Sequence, residues 1–122
     1  MPSAPRPRPA RLAPRLKVWL LCDNLFLMGP NYLRFLRAVD ETGTIRDGGK
    51  AVGWSYRTCL NRVRRMERAL GRPVLLTARG GRAHGGSRLS PEARRLVRGF
   101  ERWQKAVAAF SRESFARYLD ER

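Results

Sequence analysis

The first strong periodic pattern of apolar positions begins after Pro30, a residue that suits the first turn of a helix. Apolar side chains then recur at helical spacing until Gly43, which is typical of a helix C-terminus. The predicted buried face consists of Tyr32, Leu33, Leu36 and Val39. This pattern predicts an amphipathic helix.

Two further helices follow, joined by a short turn. Thr44 is a candidate N-cap, with Asp47 three residues later, for a helix over 45–52. Gly53 breaks it, and Ser55 caps the next helix. The predicted buried face of that helix consists of Cys59, Leu60, Val63, Met66 and Leu70. Helix, glycine-containing turn and helix together predict a helix-turn-helix over 44–70.

Two residues shape the predicted crossing of these helices. Gly49 lies where the helices approach closely, so a larger side chain would push them apart. Trp54 lies in the turn and is expected to insert into the core.

Two segments have the alternation or composition of hairpins. Residues 16–21 and 25–28 are short apolar runs around the turn residues Asp23 and Asn24. In the second predicted hairpin, residues 73–78 form the first strand, the basic, glycine-rich segment 79–87 forms the connection, and the return strand begins at Arg88. We interpret residues 73–90 as a wing that completes a winged helix-turn-helix domain over 16–90.

The last predicted helix begins at Ser90-Pro91-Glu92 and extends through the C-terminal segment 91–122. Its apolar positions, starting at Ala93, are spaced 3, 4, 3, 4 and 3 residues apart, as in a coiled-coil seam. We expect a homodimer interface; the alternative is that the seam packs on its own domain. The expected interface residues are Leu96, Phe100, Trp103, Val107 and Phe110. The fold class is therefore mainly α with a small β component.

Charge narrows the class of partner. The chain of 122 residues carries 26 lysines and arginines against 10 acids, a formal net charge of +16. Such a balance indicates a polyanionic partner, most often nucleic acid and less often an anionic membrane. Residues 1–15, rich in Pro and Arg, are expected to form a disordered basic tail. Without a long apolar run or signal peptide, we expect a cytoplasmic protein with no membrane association.

The third predicted helix concentrates this charge, with five arginines and Glu67 as the single acid that could pair with them locally. A solvated helix face usually mixes charges of both signs, so this face indicates a DNA-binding surface with the N-terminal residues of helix 55–70 in the major groove. Arg57 can contact guanine and Asn61 adenine. The predicted DNA-binding residues are Arg46, Lys50, Ser55, Tyr56, Arg57, Thr58, Asn61, Arg62, Arg65, Arg68, Arg79, Arg82 and Arg88.

The segments LKVWLL, DETGTIRDGGKAVGWSYRTCLNRV, the glycine-rich wing and RLSPEARRLV resemble the N-terminal DNA-binding domain of ModE-type molybdate-responsive regulators, relatives of the LysR-type winged helices. The resemblance covers residues 16 to about 110. It implies a bacterial or archaeal transcription factor that dimerises partly through its last helix. Family members bind molybdate in a separate C-terminal domain, which we do not expect in this chain.

Other chemistry is not indicated. Cys22 and Cys59 lack the spacing of a disulfide framework or zinc site, and His84 has no second ligand nearby in sequence. We expect no metal, no cofactor and no enzymatic activity, and we expect Asp40 and Glu41 to face solvent. Two alternatives to a sequence-specific regulator stay open: a nonspecific architectural DNA-binding protein, and a protein-interaction module with weak DNA contact.

Overall fold

A computed structural model of the chain describes residues 11–78 and 86–120, in which four helices and two small antiparallel hairpins make the protein mainly α with a small β component. The elements, in chain order, are β1 (Leu20–Cys22), β2 (Leu25–Met28), α1 (Pro30–Thr42), α2 (Ile45–Val52), α3 (Tyr56–Leu70), β3 (Leu75–Thr77), β4 (Ser87–Leu89) and α4 (Pro91–Asp120). This confirms the predicted fold class. Residues 1–10 of the predicted basic tail lie outside the described residues.

The first hairpin is shorter than its apolar pattern predicted. Residues 16–19 lie outside any strand, and β1 begins at Leu20, next to an irregularity in its pairing with β2. The predicted turn is present: Asp23 and Asn24 have φ values of 48° and 68°. Consecutive left-handed residues match the right-handed twist of paired strands, which is why Asp and Asn are favoured there.

Helix α1 starts and ends where the sequence predicted. Pro30 occupies its first turn, and Gly43 adopts φ 85° while its N–H donates to Val39 O at 2.7 Å. The four predicted buried residues are buried, and so is Phe35, which the prediction omitted. Because α1 contacts α2, α4, β2 and β4, its buried face is wider than a single stripe.

Helices α2 and α3 have the predicted N-caps. The Thr44 side chain accepts from Asp47 N at 3.0 Å, and the Ser55 hydroxyl accepts from Thr58 N at 3.1 Å. A Cβ placed on Gly49 would lie 2.9 Å from Trp54 O and closer still to Cys59 Sγ, which confirms the predicted close crossing. Trp54 packs against the core through edge contact with Tyr32.

The second hairpin is held between α1 and α4. Ser87 N donates to Gly43 O at 2.7 Å, and Ser90 N donates to Val74 O at 2.9 Å. Ser90 also caps α4, since its hydroxyl accepts from Ala93 N at 3.1 Å and donates to Pro73 O at 2.8 Å. The residue that starts α4 as predicted therefore also links the helix to the segment before β3.

Asp40 corrects one expectation. Its Oδ1 accepts from Leu89 N at 3.2 Å and pairs with Arg94 at 3.0 Å, so it joins α1 to β4 and α4 rather than facing solvent. Glu41 is exposed, with Arg37 at 3.7 Å. Cys22 and Cys59 are free thiols, and burial raises the pKa of Cys59, which keeps it protonated and unreactive at neutral pH.

Candidate nucleic-acid interface

The candidate interface is built on the side of α3 that faces away from the core. Cys59, Val63 and Met66 are buried, which fixes the rotation of the helix. The opposite side is exposed along most of the helix. It carries these polar and basic side chains: Tyr56, Arg57, Asn61, Arg64, Arg65 and Arg68. All of these except Arg64 belong to the predicted set.

Residues from the first half of this side line a depression of ≈ 500 Å³. Tyr56, Arg57 and Asn61, three predicted contacts, line it together with Leu60 and Arg64. Leu60 was predicted to be buried but is half-buried, and it forms part of this lining. Arg64 was absent from the predicted set, although 100° per residue puts it near the line of Tyr56 and Leu60.

The arginines of α3 have no acidic partner. Among the described residues, none of the five forms an ion pair within 4 Å. Glu67, the one acid of the helix that could pair with them locally, does not do so. Its Oε2 instead accepts from Val74 N at 2.8 Å, just before β3, and from Leu75 N at 3.3 Å, at the first residue of β3, because part-buried amides need an acceptor.

Arg62 does not lie with Arg65 and Arg68. Its guanidinium lies 4.4 Å from the centroid of the Trp54 ring and 5.5 Å from that of Tyr32. The side chain is half-buried, because its position on the helix faces the turn before α3. This cation–π contact gives Arg62, one of the predicted DNA-binding residues, a role in the packing of the domain that the sequence did not predict.

Two other basic side chains also contact aromatic rings but remain exposed. Arg46 lies 4.9 Å from the Tyr56 ring centroid, and Arg65 lies 5.3 Å from that of Phe26. The contact between Arg46 and Tyr56 connects α2 to the exposed first turn of α3. Lys50, at the end of α2, is exposed, with Asp47 at 3.7 Å.

The two hydroxyl groups at the start of α3 already have partners within the chain. Ser55 Oγ donates to Thr58 Oγ1 at 3.0 Å while accepting the capping bond from Thr58 N. Thr58 is half-buried. Both residues therefore support the helix start, whereas Tyr56 and Arg57 project from it into solvent.

The β3–β4 hairpin places Arg88 beside the helical part of the domain. Arg88 is exposed and pairs with Leu76 across the hairpin. Ala78 N donates to Gly86 O at 2.8 Å, which extends the pairing toward the tip. Arg79, Arg82 and His84, in the glycine-rich tip, lie outside the described residues.

The predicted dimer seam on α4 divides into two parts. Phe100 is 3% exposed and belongs to the core of its own chain, as do Ala93 and Val97. We predicted that Phe100 would contact a second copy, but its burial in its own chain leaves it unavailable to a partner. Leu96 and Val107 are half-buried. Trp103 is 47% exposed and Phe110 62% exposed, so this part of the predicted seam leaves both of its aromatic rings in water; Tyr118, further along α4, is exposed as well.

Two negative findings concern the described ranges alone. In residues 11–78 and 86–120, no group of three or more His, Cys, Asp or Glu side chains is arranged to hold a metal ion. Within the same ranges, no helix combines the length and apolar character needed to cross a membrane.

Comparison with known proteins gives two relatives and no matching family model. The chain is 33% identical over 81 residues to the molybdenum-pterin-binding protein MopB of Rhodobacter capsulatus, and 32% identical over 73 residues to MopA of the same organism. These matches cover 66% and 60% of this chain but 30% and 28% of the relatives. The chain is thus a weak homologue of two proteins of the ModE-related group, and it spans less than a third of their length.

Proposed function

We propose that this chain is a sequence-specific transcriptional regulator that binds duplex DNA as a homodimer. In this proposal α2 and α3 are a helix-turn-helix, and the β3–β4 hairpin is the wing. The N-terminal half of α3 enters the major groove, whose width admits an α-helix. The wing follows the neighbouring backbone or minor groove.

The observation that carries the proposal is the unpaired charge on α3. Five arginines share one helix with a single acid, and that acid is hydrogen-bonded to the backbone before and within β3. Like charges three and four residues apart destabilise an isolated helix slightly. A polyanion reverses this effect, because each arginine that meets a phosphate releases condensed counterions.

Position along α3 assigns the roles. Tyr56, Arg57 and Asn61 line one depression near the start of the helix, so they are the candidates for base contacts. The planar fork of Arg57 suits guanine O6 and N7, and the Asn61 amide suits adenine N6 and N7. Arg65 and Arg68 lie further along the exposed side and are assigned to phosphates.

Residues outside α3 extend the contact to the backbone of the duplex. Arg46 and Lys50 are exposed on α2, and Arg88 is exposed on β4. Arg79 and Arg82 stay in the proposal on sequence grounds alone. We assign Arg62 to the packing of the domain and add Arg64 to the groove-facing set.

The homodimer rests on the distal part of α4. Trp103 and Phe110 are large, exposed and seven residues apart, the repeat that keeps two residues on one side of a supercoiled helix pair. Leu96 and Val107 flank them on the same side. A second copy of α4 would cover these rings and would give the protein a two-fold axis, which in turn requires a DNA site with two half-sites.

The resemblance to ModE-type regulators supports a bacterial transcription factor, and the similarity to MopA and MopB supports the relationship to the ModE-related group. Molybdenum and pterin binding, which the names of the relatives state, is not proposed for this chain, because the match covers 30% of MopB.

Selection of duplexes from a random library by the purified chain tests the proposal. We expect enrichment of an inverted repeat whose half-sites are separated by one or more helical turns. Equal affinity for selected and random DNA at physiological salt would instead establish an architectural DNA-binding protein. Failure to shift any duplex at low salt, together with a stable complex with another protein, would establish an interaction module.

A further inference from the structure

A second group of unpaired basic side chains lies outside α3, at the base of the β3–β4 hairpin and along α4. All five are exposed, and none of them is within 4 Å of a carboxylate in the described part of the chain. We call this group the α4 cation stripe; it consists of Arg88, Arg95, Arg98, Arg102 and Lys105.

The four stripe residues on α4 share one side of the helix. At 100° per residue they fall within a sector of about 80°, and ten residues at 1.5 Å each make the stripe about 15 Å long. Leu96, Phe100 and Trp103 fall on the opposite side. The stripe therefore stays open to solvent even when the apolar side of α4 is covered by its own core and by a second copy.

The acids that surround the stripe are already engaged. Asp40 holds Arg94 and the amide of Leu89, Glu101 pairs with Arg37, and Glu92 pairs with Arg72 at 3.3 Å. Two of these pairs join α4 to α1, and the third joins it to the segment between α3 and β3. None of these carboxylates is left to neutralise the stripe.

At its start the stripe borders a concave surface. A depression of ≈ 320 Å³ between the hairpin and α4 is lined by Arg88, Arg94, Arg95 and Arg98, with Leu76 and Leu89 on its hairpin side. Arg94 is paired with Asp40, and the other three guanidinium groups are suited to phosphate oxygens, because a guanidinium donates two parallel hydrogen bonds to such a group.

We propose that the α4 cation stripe is a second phosphate-binding surface, which takes the sugar-phosphate backbone of duplex DNA outside the segment contacted by α3. This inference rests on the proposed function. A row of like charges about 15 Å long, whose bordering acid Glu101 is already paired with Arg37, fits a uniform line of phosphates better than a protein surface, where charge changes sign over short distances. The phosphates can belong to the flank of the same duplex or to a second duplex.

Two double variants of the full chain test this. R98Q/R102Q removes two charges from the stripe, and R112Q/R117Q removes two exposed charges from the same helix beyond it. Dissociation constants are measured from low to physiological salt on the selected site, once as a short duplex and once with long flanks. Each lost phosphate contact lowers the slope of log K against log salt by about 0.9.

For a stripe that binds the flank, R98Q/R102Q removes two phosphate contacts from each subunit of the dimer and lowers this slope by about 3.6 on the long duplex only, with the preferred motif unchanged. For a stripe that binds a second duplex, the slopes match those of the wild type, and R98Q/R102Q loses the ability to co-precipitate a labelled duplex with an immobilised one. In both cases R112Q/R117Q behaves as the wild type.

The inference is overturned if R98Q/R102Q and R112Q/R117Q agree in slope on both duplexes and in co-precipitation. That result would leave the proposed function intact, because the wild-type chain would still select its site. A wild-type chain that binds no duplex overturns the proposed function instead, so the two failures are distinguishable.

Discussion

Glu67 accepts a hydrogen bond of 2.8 Å from the backbone N–H of Val74, and the same oxygen accepts from Leu75 N at 3.3 Å. The only acid on α3 thus connects the candidate recognition helix to the hairpin that follows it. This contact has two effects: it orients the β3–β4 hairpin relative to α3, and it leaves the arginines of α3 without a local counter-charge.

The first prediction concerns the stability provided by Glu67. Removing a charged acceptor from two part-buried amides costs about 2 kcal/mol, so Glu67→Ala is expected to lower the free energy of unfolding by about this amount in urea titration. Glu67→Gln keeps an acceptor oxygen and should cost less. Glu113→Gln, which removes an exposed acid on α4, is the matched control and should leave stability unchanged.

DNA affinity separates this role from that of a local partner for the arginines. If Glu67 neutralised the arginines, Glu67→Gln would tighten DNA binding without a loss of stability. If Glu67 mainly holds the hairpin through its hydrogen bonds, Glu67→Ala instead lowers the free energy of unfolding clearly and does not tighten DNA binding.

Local signals made most of the fold predictable. The bounds of α1 and α2 depend on Pro30, Thr44 and Gly43, whose effects act within one turn of the chain. The same holds for the start of α3, because the Ser55 cap is made to Thr58 N only three residues away. Helical spacing then identified the exposed side of α3, which supplies most of the candidate interface.

Partners distant in sequence account for what the pattern missed. Asp40 binds Leu89 and Arg94, 49 and 54 residues further along the chain. Arg62 turns toward Trp54 and Tyr32 because α1 and the turn bring two rings to its side of the helix. Phe100 follows the heptad spacing, but the same spacing suits a core formed with α1. Periodicity specifies a face of a helix without specifying what covers it.

The second prediction compares two glycines. A Cβ at Gly49 would meet Cys59 Sγ and Trp54 O, so Gly49→Ala is expected to destabilise the fold by about 1–3 kcal/mol. Gly99 is exposed on α4, and a Cβ added there would meet no atom within 4 Å, so Gly99→Ala should stabilise the helix by about 0.5–1 kcal/mol. Thermal unfolding of both variants measures the difference; equal melting temperatures would contradict the close crossing of α2 and α3.

The third prediction separates Arg62 from its neighbour. Loss of the stacked guanidinium in Arg62→Ala should reduce the free energy of unfolding by about 1 kcal/mol, because Trp54 and Tyr32 lose a cation–π partner. Arg64→Ala, at an exposed position that lines the groove-facing depression, should leave stability unchanged and weaken DNA binding more. Chemical denaturation measures the stability of both variants, and gel shift measures their DNA affinity. The prediction is refuted if Arg64→Ala loses more stability, or if Arg62→Ala loses more DNA affinity.

The fourth prediction assigns Arg57 and Arg68 to different kinds of contact. Arg57→Ala should cost roughly 1–3 kcal/mol of binding free energy and relax the preference at one base pair of each half-site. Arg68→Ala should weaken binding to all duplexes alike and lower the salt slope by about 0.9 for each subunit, or about 1.8 for the dimer. Repeating the selection with each variant is the measurement, and a motif that Arg57→Ala leaves unchanged would remove Arg57 from the base-contacting set.

The fifth prediction concerns the exposed rings of α4. Trp103 and Phe110 are expected to be buried against a second copy, so W103S/F110S should raise the dimer dissociation constant about 100-fold, equivalent to roughly 3 kcal/mol of lost apolar burial. Sedimentation equilibrium measures this constant. Phe100→Ala serves as the contrast: its ring is buried in its own chain, so it should lower the free energy of unfolding by about 3–5 kcal/mol. If the wild type sediments as a monomer at concentrations that saturate its DNA site, the rings have another role, and the two-fold symmetry proposed for the site is lost with the dimer.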